Sequence, residues 1–215
     1  VTVALPPSLP ARLYLLAYDP RRQRPVTAYR IQYSLRAAAL TDLWLTGHLS
    51  DAHGRPALTR GTGAGQVTDP VLAGMLRQIE AGKPRLWEHW IRRPDRTIRA
   101  ETRDQLVAGG WIRVGSHRRL GLFPTERVTI RDPLLRRRLA TVVSEALRPG
   151  RSVANLDPRD AALVALAAAG EARAALPRSA VRQHKDRIDQ LTEAAGPAVP
   201  ALRKAIKHAR QSTSA

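Results

Sequence analysis

The stretch "AYRIQYSLRAAALTDLWLTG", Ala28 to Gly47, decides the fold. Ile31, Leu35, Ala39 and Leu43 recur at four-residue spacing, which sets them near one face of a helix, and Gly47 stands just past its end. Upstream, Ser8 is a candidate N-cap for a short helix through "LPARLYLLAYD", whose leucines would be core, and "RRQRPVT" reads as a basic turn. Downstream, "HLSDAHGRPAL" reads as a hairpin turning at His53-Gly54, while "RGTGAGQ" is flexible by composition.

The later helices are marked by their first residues. Thr68 or Asp69 followed by Pro70 opens one through "VLAGMLRQIEAG", because proline lacks the amide that a first helical residue leaves unused. A short helix carrying Trp87 and Trp90 follows. Asp95 as cap and Gly109-Gly110 as stop then bound a helix within "RRPDRTIRAETRDQLVAGGWI". "WIRVGSHRRLGLFPTERVTI" alternates as a hairpin with its turn near Gly115-Ser116. Asp132-Pro133 launches a helix whose core stripe is Leu135, Leu139, Val142 and Ala146, with Arg136 and Arg137 pointing elsewhere. Asp157-Pro158 launches "RDAALVALAAAGEA", apolar nearly all round and expected to be the central buried helix. Two helices, around "SAVRQHKDRIDQLTEAA" and "VPALRKAIKHARQ", finish the chain. The expectation is a mainly α protein: a single globular helical domain with one or two β-hairpins, spanning residues 1–215 with its core at about 8–211.

Charge is the dominant compositional clue. The chain carries a formal +18 from 36 basic and 18 acidic residues, with a pI near 11.6. Such an excess points to an anionic partner: nucleic acid, an acidic membrane surface or a phosphorylated ligand. Of the basic residues 32 are Arg and four Lys, a ratio that GC-rich coding produces without function, but coding bias should spread evenly. From Arg85 to Arg138 there are 14 Arg against six acidic residues, a net +8 in 54 residues, while the other 161 residues hold the remaining +10. The charge is clustered.

Other chemistry finds little support. Without cysteine there are no disulfides and no thiolate or Cys-zinc sites. None of the six histidines has the i, i+4 spacing with Glu of a helical zinc site. "GTGAGQ" lacks both the GK[ST] of a P-loop and the spacing of a dinucleotide fold, and no serine lies in a G-x-S-x-G context. No enzyme, metal or cofactor is expected. The longest apolar run, Ala161–Gly170, is about half of a membrane span, and the first residues carry no basic segment ahead of an apolar run. A soluble, cytoplasmic protein is expected, with any membrane contact peripheral.

Within the basic segment, Arg92, Arg96, Arg99 and Arg103 would share one stripe of a continuous helix, although Pro94 disfavours helical geometry at Arg93 and sets Arg92 outside. Arg96 and Arg99 then flank free backbone N–H groups at a helix start, a natural anion site. Trp44, Trp87, Trp90 and Trp111 read as packing residues. Helix, Gly-Gly, strand, basic turn and strand in that order also suit a winged helix, which makes nucleic-acid binding the alternative function.

The order of segments resembles the Golgi phosphoprotein 3 family. The resemblance starts from "SLRAAALTDLWLTGHL", similar to that family's L-R-(small)-x-x-L-x-[DE]-L-x-L-x-G-x-L helix. It runs through "DPVLAGMLRQI", Trp90-Ile91, "IRAETRDQLVAGGWI" with its hairpin, and the later Asp-Pro helices, covering roughly Ser8 to Gln211. It implies a peripheral membrane protein that binds an anionic phosphorylated lipid head group, such as that of phosphatidylinositol 4-phosphate, in a basic pocket. In eukaryotic members the pocket uses a tryptophan, an arginine on the second helix and two arginines three residues apart. Arg36 stands at the second-helix position, and Arg96 and Arg99 match the pair. Thr27 falls where the tryptophan would be, which implies a different or weaker head-group ligand. The family's hairpin is thought to press an apolar tip into the bilayer. Here "GSHRR" is the expected turn, basic, and Phe123 is a possible membrane contact. An adaptor role toward an acidic protein partner is a further possibility.

Overall fold

Asp42 explains how the first helices meet. The computed structural model describes residues 4–19, 22, 24–25, 31–93, 97–119 and 123–212. Helix α1 (Leu9–Leu16) begins after Ser8, but the Ser8 hydroxyl does not cap it. The first N–H, that of Leu9, instead donates to Asp42 Oδ2 at 2.7 Å, in the last turn of α2 (Ile31–Leu45). A carboxylate is the stronger acceptor, and Asp42 is fully buried, so it replaces the local serine cap. Its other oxygen accepts from Arg159 Nε at 2.8 Å, on α7 (Pro158–Ala169). One side chain thereby ties three helices together. Burial nevertheless pushes the Asp42 carboxyl above its ordinary pKa, against the lowering pull of the Leu9 N–H and Arg159.

Helix α2 is more central than its one-face periodicity suggested. Twelve of its 15 residues are buried, so it is surrounded rather than laid on a surface. Ala37, Ala38 and Ala39 keep it thin enough for α1 and α7 to approach. At Gly170, just after α7, an added Cβ would stand 2.5 Å from Ser34 Oγ, so this contact between α2 and the end of α7 admits only glycine without rearrangement. Helix α7 is the second central element, with Ala161 through Ala167 all buried.

The Asp-Pro starts form as expected. Asp69 accepts from Val71 and Leu72 N–H, both at 3.0 Å, at the head of α3 (Pro70–Glu80). Asp132 accepts from Leu134 N–H at 2.8 Å at α6 (Pro133–Leu147), and Asp157 from Arg159 N–H at 2.8 Å at α7. Between them lie α4 (Trp87–Arg92) and α5 (Thr97–Ala108). Helices α8 (Arg178–Gln183), α9 (Lys185–Ala194) and α10 (Ala198–Gln211) close the chain. The expected single helix around "SAVRQHKDRIDQLTEAA" is thus two, broken at His184 (φ −107°, ψ 28°). Ile188 and Leu191 of α9 are buried, and α9 packs on α7; α8 buries nothing, so the axis changes to let the second piece reach the core.

The described strands form antiparallel pairs only. β3 (Leu49–Asp51) and β4 (Pro56–Leu58) turn at His53-Gly54, both with positive φ, as a two-residue hairpin turn requires. β5 (Ile112–Arg119) and β6 (Phe123–Ile130) pair from Ile112↔Ile130 to Arg119↔Phe123. The turn is therefore not at Gly115-Ser116. Gly115 pairs with Arg127 inside the ladder, "GSHRR" is strand, and residues 120–122 lie between the strands. Where a basic turn was expected, β1 (Tyr18–Asp19) pairs with β2 (Arg24–Pro25). "RGTGAGQ" is not simply flexible: a 3-10 turn covers Ala64–Gln66, where Glu80 Oε1 accepts from Ala64 N–H at 2.9 Å. The whole is one mainly α domain.

Candidate functional site

The end of α4 is built around a missing donor. In a helix the carbonyl of Trp90 would accept from the N–H of residue 94, but residue 94 is proline. Arg36, reaching across from α2, supplies the substitute: its Nε donates to the Trp90 carbonyl at 2.5 Å. Its Nη2 donates to Gln78 Oε1 at 3.0 Å and lies 3.7 Å from Met75 Sδ, both on α3. Arg36 is 0% exposed, so its guanidinium is a buried clamp joining α2, α3 and α4. Burial at this depth requires acceptors of this kind for the guanidinium.

Outside this clamp the surface is cationic. Arg93, the residue that ends α4, sets its guanidinium carbon 5.7 Å from the Trp90 ring centroid, in cation–π range. His89 stands edge-to-face with that indole, at 5.7 Å between centroids. Its pKa is pushed down first by desolvation and then by Arg85, Arg93 and Arg36. The imidazole therefore reports a positive field at the end of α4.

Arg99 is exposed near the start of α5, while Ile98 and Thr102 are buried. Neither Arg93 nor Arg99 forms an ion pair among the described residues. Two other arginines of the expected stripe do: Arg92 with Glu88 at 3.4 Å and Arg103 with Asp104 at 2.8 Å. Their charge is offset locally, and the charge left for a ligand concentrates at Arg93 and Arg99. No carboxylate occupies the described first turn of α5.

The expected site residues are thus distributed unevenly. Arg36 lies beneath the α4 end and Arg99 on the outer face of α5, with α2 packed against both helices. Arg96, Thr27 and the side chain of Phe123 lie outside the described residues, and the backbone of Phe123 opens β6 opposite Arg119. Sequence reasoning missed Arg93, Gln78 and the second role of Trp90. A signal was present: Pro94 four residues after Trp90 leaves an acceptor that some distant donor must meet. Among the described residues no group of three His, Asp or Glu side chains is arranged to hold a metal ion.

Fold and site together define a basic, mainly helical protein with exposed arginines at the end of α4 and near the start of α5. The chain belongs to the Golgi phosphoprotein 3 (GPP34) family, whose model matches residues 9–209. That family is non-enzymatic and Golgi-associated. No curated protein matches the chain. No helix among the described residues is long and apolar enough to cross a membrane.

Proposed function

We propose that this protein binds membranes peripherally by holding an anionic phosphorylated lipid head group at the α4–α5 corner. The observation that carries the reading is Arg99, exposed near the start of α5 without an ion-pair partner among the described residues. In this reading Arg96 and Arg99 grip the phosphate by forked hydrogen bonds, at the positive end of the helix dipole. Arg36 contributes fixed positive charge from behind and holds the α4 end in place. The wider basic surface adds roughly 1 kcal/mol per arginine close to an acidic leaflet. Thr27 in place of the family's tryptophan favours a phosphorylated head group other than that of phosphatidylinositol 4-phosphate, and Phe123 is the proposed membrane contact on the hairpin.

Vesicle co-sedimentation tests this, with and without phosphatidylinositol 4-phosphate or another phosphorylated lipid, comparing wild type with Arg96→Ala/Arg99→Ala. Loss of the phosphorylated-lipid increment in the double variant is expected. Equal binding by both proteins would remove the site. Tight, salt-dependent duplex binding without lipid preference would point instead to the winged-helix reading, and capture by an acidic protein that survives phosphate competition to an adaptor.

A further inference from the structure

A cleft of about 590 Å³ opens elsewhere, between the C-terminal end of α1, one side of α6 and the segment leading into α8. Its walls are apolar: Leu15 and Leu16 from α1, Leu139, Val143 and Leu147 from α6, and Leu176. Helix α6 carries two stripes. Leu135, Leu139, Val142 and Ala146 form the buried stripe on the core side, where α6 packs on α7. Arg136, Ala140, Val143 and Leu147, at i, i+4, i+7 and i+11, follow the cleft. Small residues leave the space open. Ala140, Ala174, Ala175 and Ala180 line it, and no residue of α8 is fully buried.

The two ends of the cleft differ. Arg136 lies in the first turns of α6 and Arg148 is the extended residue that ends it, so the two mark opposite ends of a helix about 20 Å long. Arg148 is tied to Glu145 at 2.5 Å. Arg136 is exposed and has no ion pair among the described residues. Beside it, the Tyr18 hydroxyl donates to the Val128 carbonyl at 2.6 Å, which joins this end of the cleft to the β5–β6 hairpin. The arrangement is a mainly apolar trough with the Arg136 guanidinium at one end and Ser144 and His184 among its polar lining.

We propose that this cleft binds a single-chain anionic amphiphile of the fatty-carboxylate class, its hydrocarbon chain lying along α6 and its carboxylate at Arg136. The shape and lining are those of a small-molecule site, mostly apolar with a few polar groups that fix orientation. A peptide fits the same space poorly, because the apolar walls offer little to its backbone N–H and C=O groups. A hydrocarbon chain needs no such partners. The proposal does not rest on the head-group site at the α4–α5 corner.

Titration with parinarate, a fluorescent fatty acid, in vesicle-free buffer tests it on the full chain. One saturable site is expected, with displacement by dodecanoate but not by dodecyltrimethylammonium. Arg136→Gln should weaken binding roughly tenfold, since a charge-assisted hydrogen bond is lost. Ala140→Trp, at an exposed position on α6, should abolish binding while leaving the melting temperature close to wild type. Ser144→Trp is a second filling variant should the first fail to fold. Absence of a saturable site, full affinity in folded filling variants, full affinity in Arg136→Gln, or equal competition by the cationic amphiphile overturns the proposal. Arg99→Ala should leave parinarate binding unchanged and Ala140→Trp should keep phosphorylated-vesicle binding, so either reading can fail alone.

Discussion

Arg36 Nε donates at 2.5 Å to the Trp90 carbonyl, the acceptor that Pro94 leaves without a helical donor. A charged side chain on the second helix therefore completes the backbone of the fourth. The same guanidinium reaches Gln78 on the third, so the position is structural as well as electrostatic.

Arg36→Ala should destabilise the protein by about 2–4 kcal/mol, from the lost packing of a large buried side chain and a buried carbonyl left without a donor. Arg36→Lys should recover only part of this, because one ammonium cannot reproduce a planar fork that serves two helices. Urea unfolding followed by circular dichroism measures the midpoints. A wild-type midpoint for Arg36→Ala would show that the clamp contributes nothing.

Arg99→Ala should separate binding from folding. Removing a cation near a helix start should leave the free protein as stable or a few tenths of a kcal/mol more stable. With Arg96→Ala it should lower affinity for phosphorylated vesicles by about 2 kcal/mol, or roughly thirtyfold. Paired thermal melts and co-sedimentation check the two halves; a variant that loses binding only because it unfolds would contradict the assignment.

Asp42 should give stability an unusual pH dependence. Its carboxyl is raised above the ordinary value of 3.8 in the folded state, so the native protein binds the proton more tightly than the unfolded chain. The Asp42 contribution is then greatest at low pH and declines as pH climbs from about 4 through the raised value. Asp42→Asn removes that titration. The stability advantage of wild type over Asp42→Asn should shrink over this window, and an advantage that grows with pH would show that the Arg159 pairing outweighs burial.

Gly170→Ala should cost about 1–3 kcal/mol, since the new methyl group would meet Ser34 Oγ at 2.5 Å. Ser34→Ala in the same chain should relieve part of that cost by removing the oxygen. Chemical denaturation of the four proteins in this cycle yields the coupling, and strict additivity would mean that the two helices simply move apart.

Much of the helical framework was legible because its signals are local. Asp69-Pro70, Asp132-Pro133 and Asp157-Pro158 each state where a helix begins, and each aspartate accepts the N–H groups it was expected to accept. His53-Gly54 likewise specified its turn through backbone conformations that few residue pairs adopt. Gly115-Ser116 misled for the converse reason: glycine permits a turn without requiring one, and cross-strand pairing carried the chain straight through. Ser8 misled because a distant carboxylate outcompeted the local hydroxyl.

The sequence by itself determined the fold class, most element boundaries, the family and the crowding of arginine between residues 85 and 138. All of these follow from periodicity, capping chemistry and order along the chain. Only the tertiary structure decided what each arginine does, because that depends on the acceptor it meets across the fold. Arg36 is enclosed by Trp90 and Gln78, Arg92 is offset by Glu88, and Arg99 is left facing solvent. A period of 3.6 residues per turn can place side chains on one face, but which face is buried, and against what, is settled only when the helices pack.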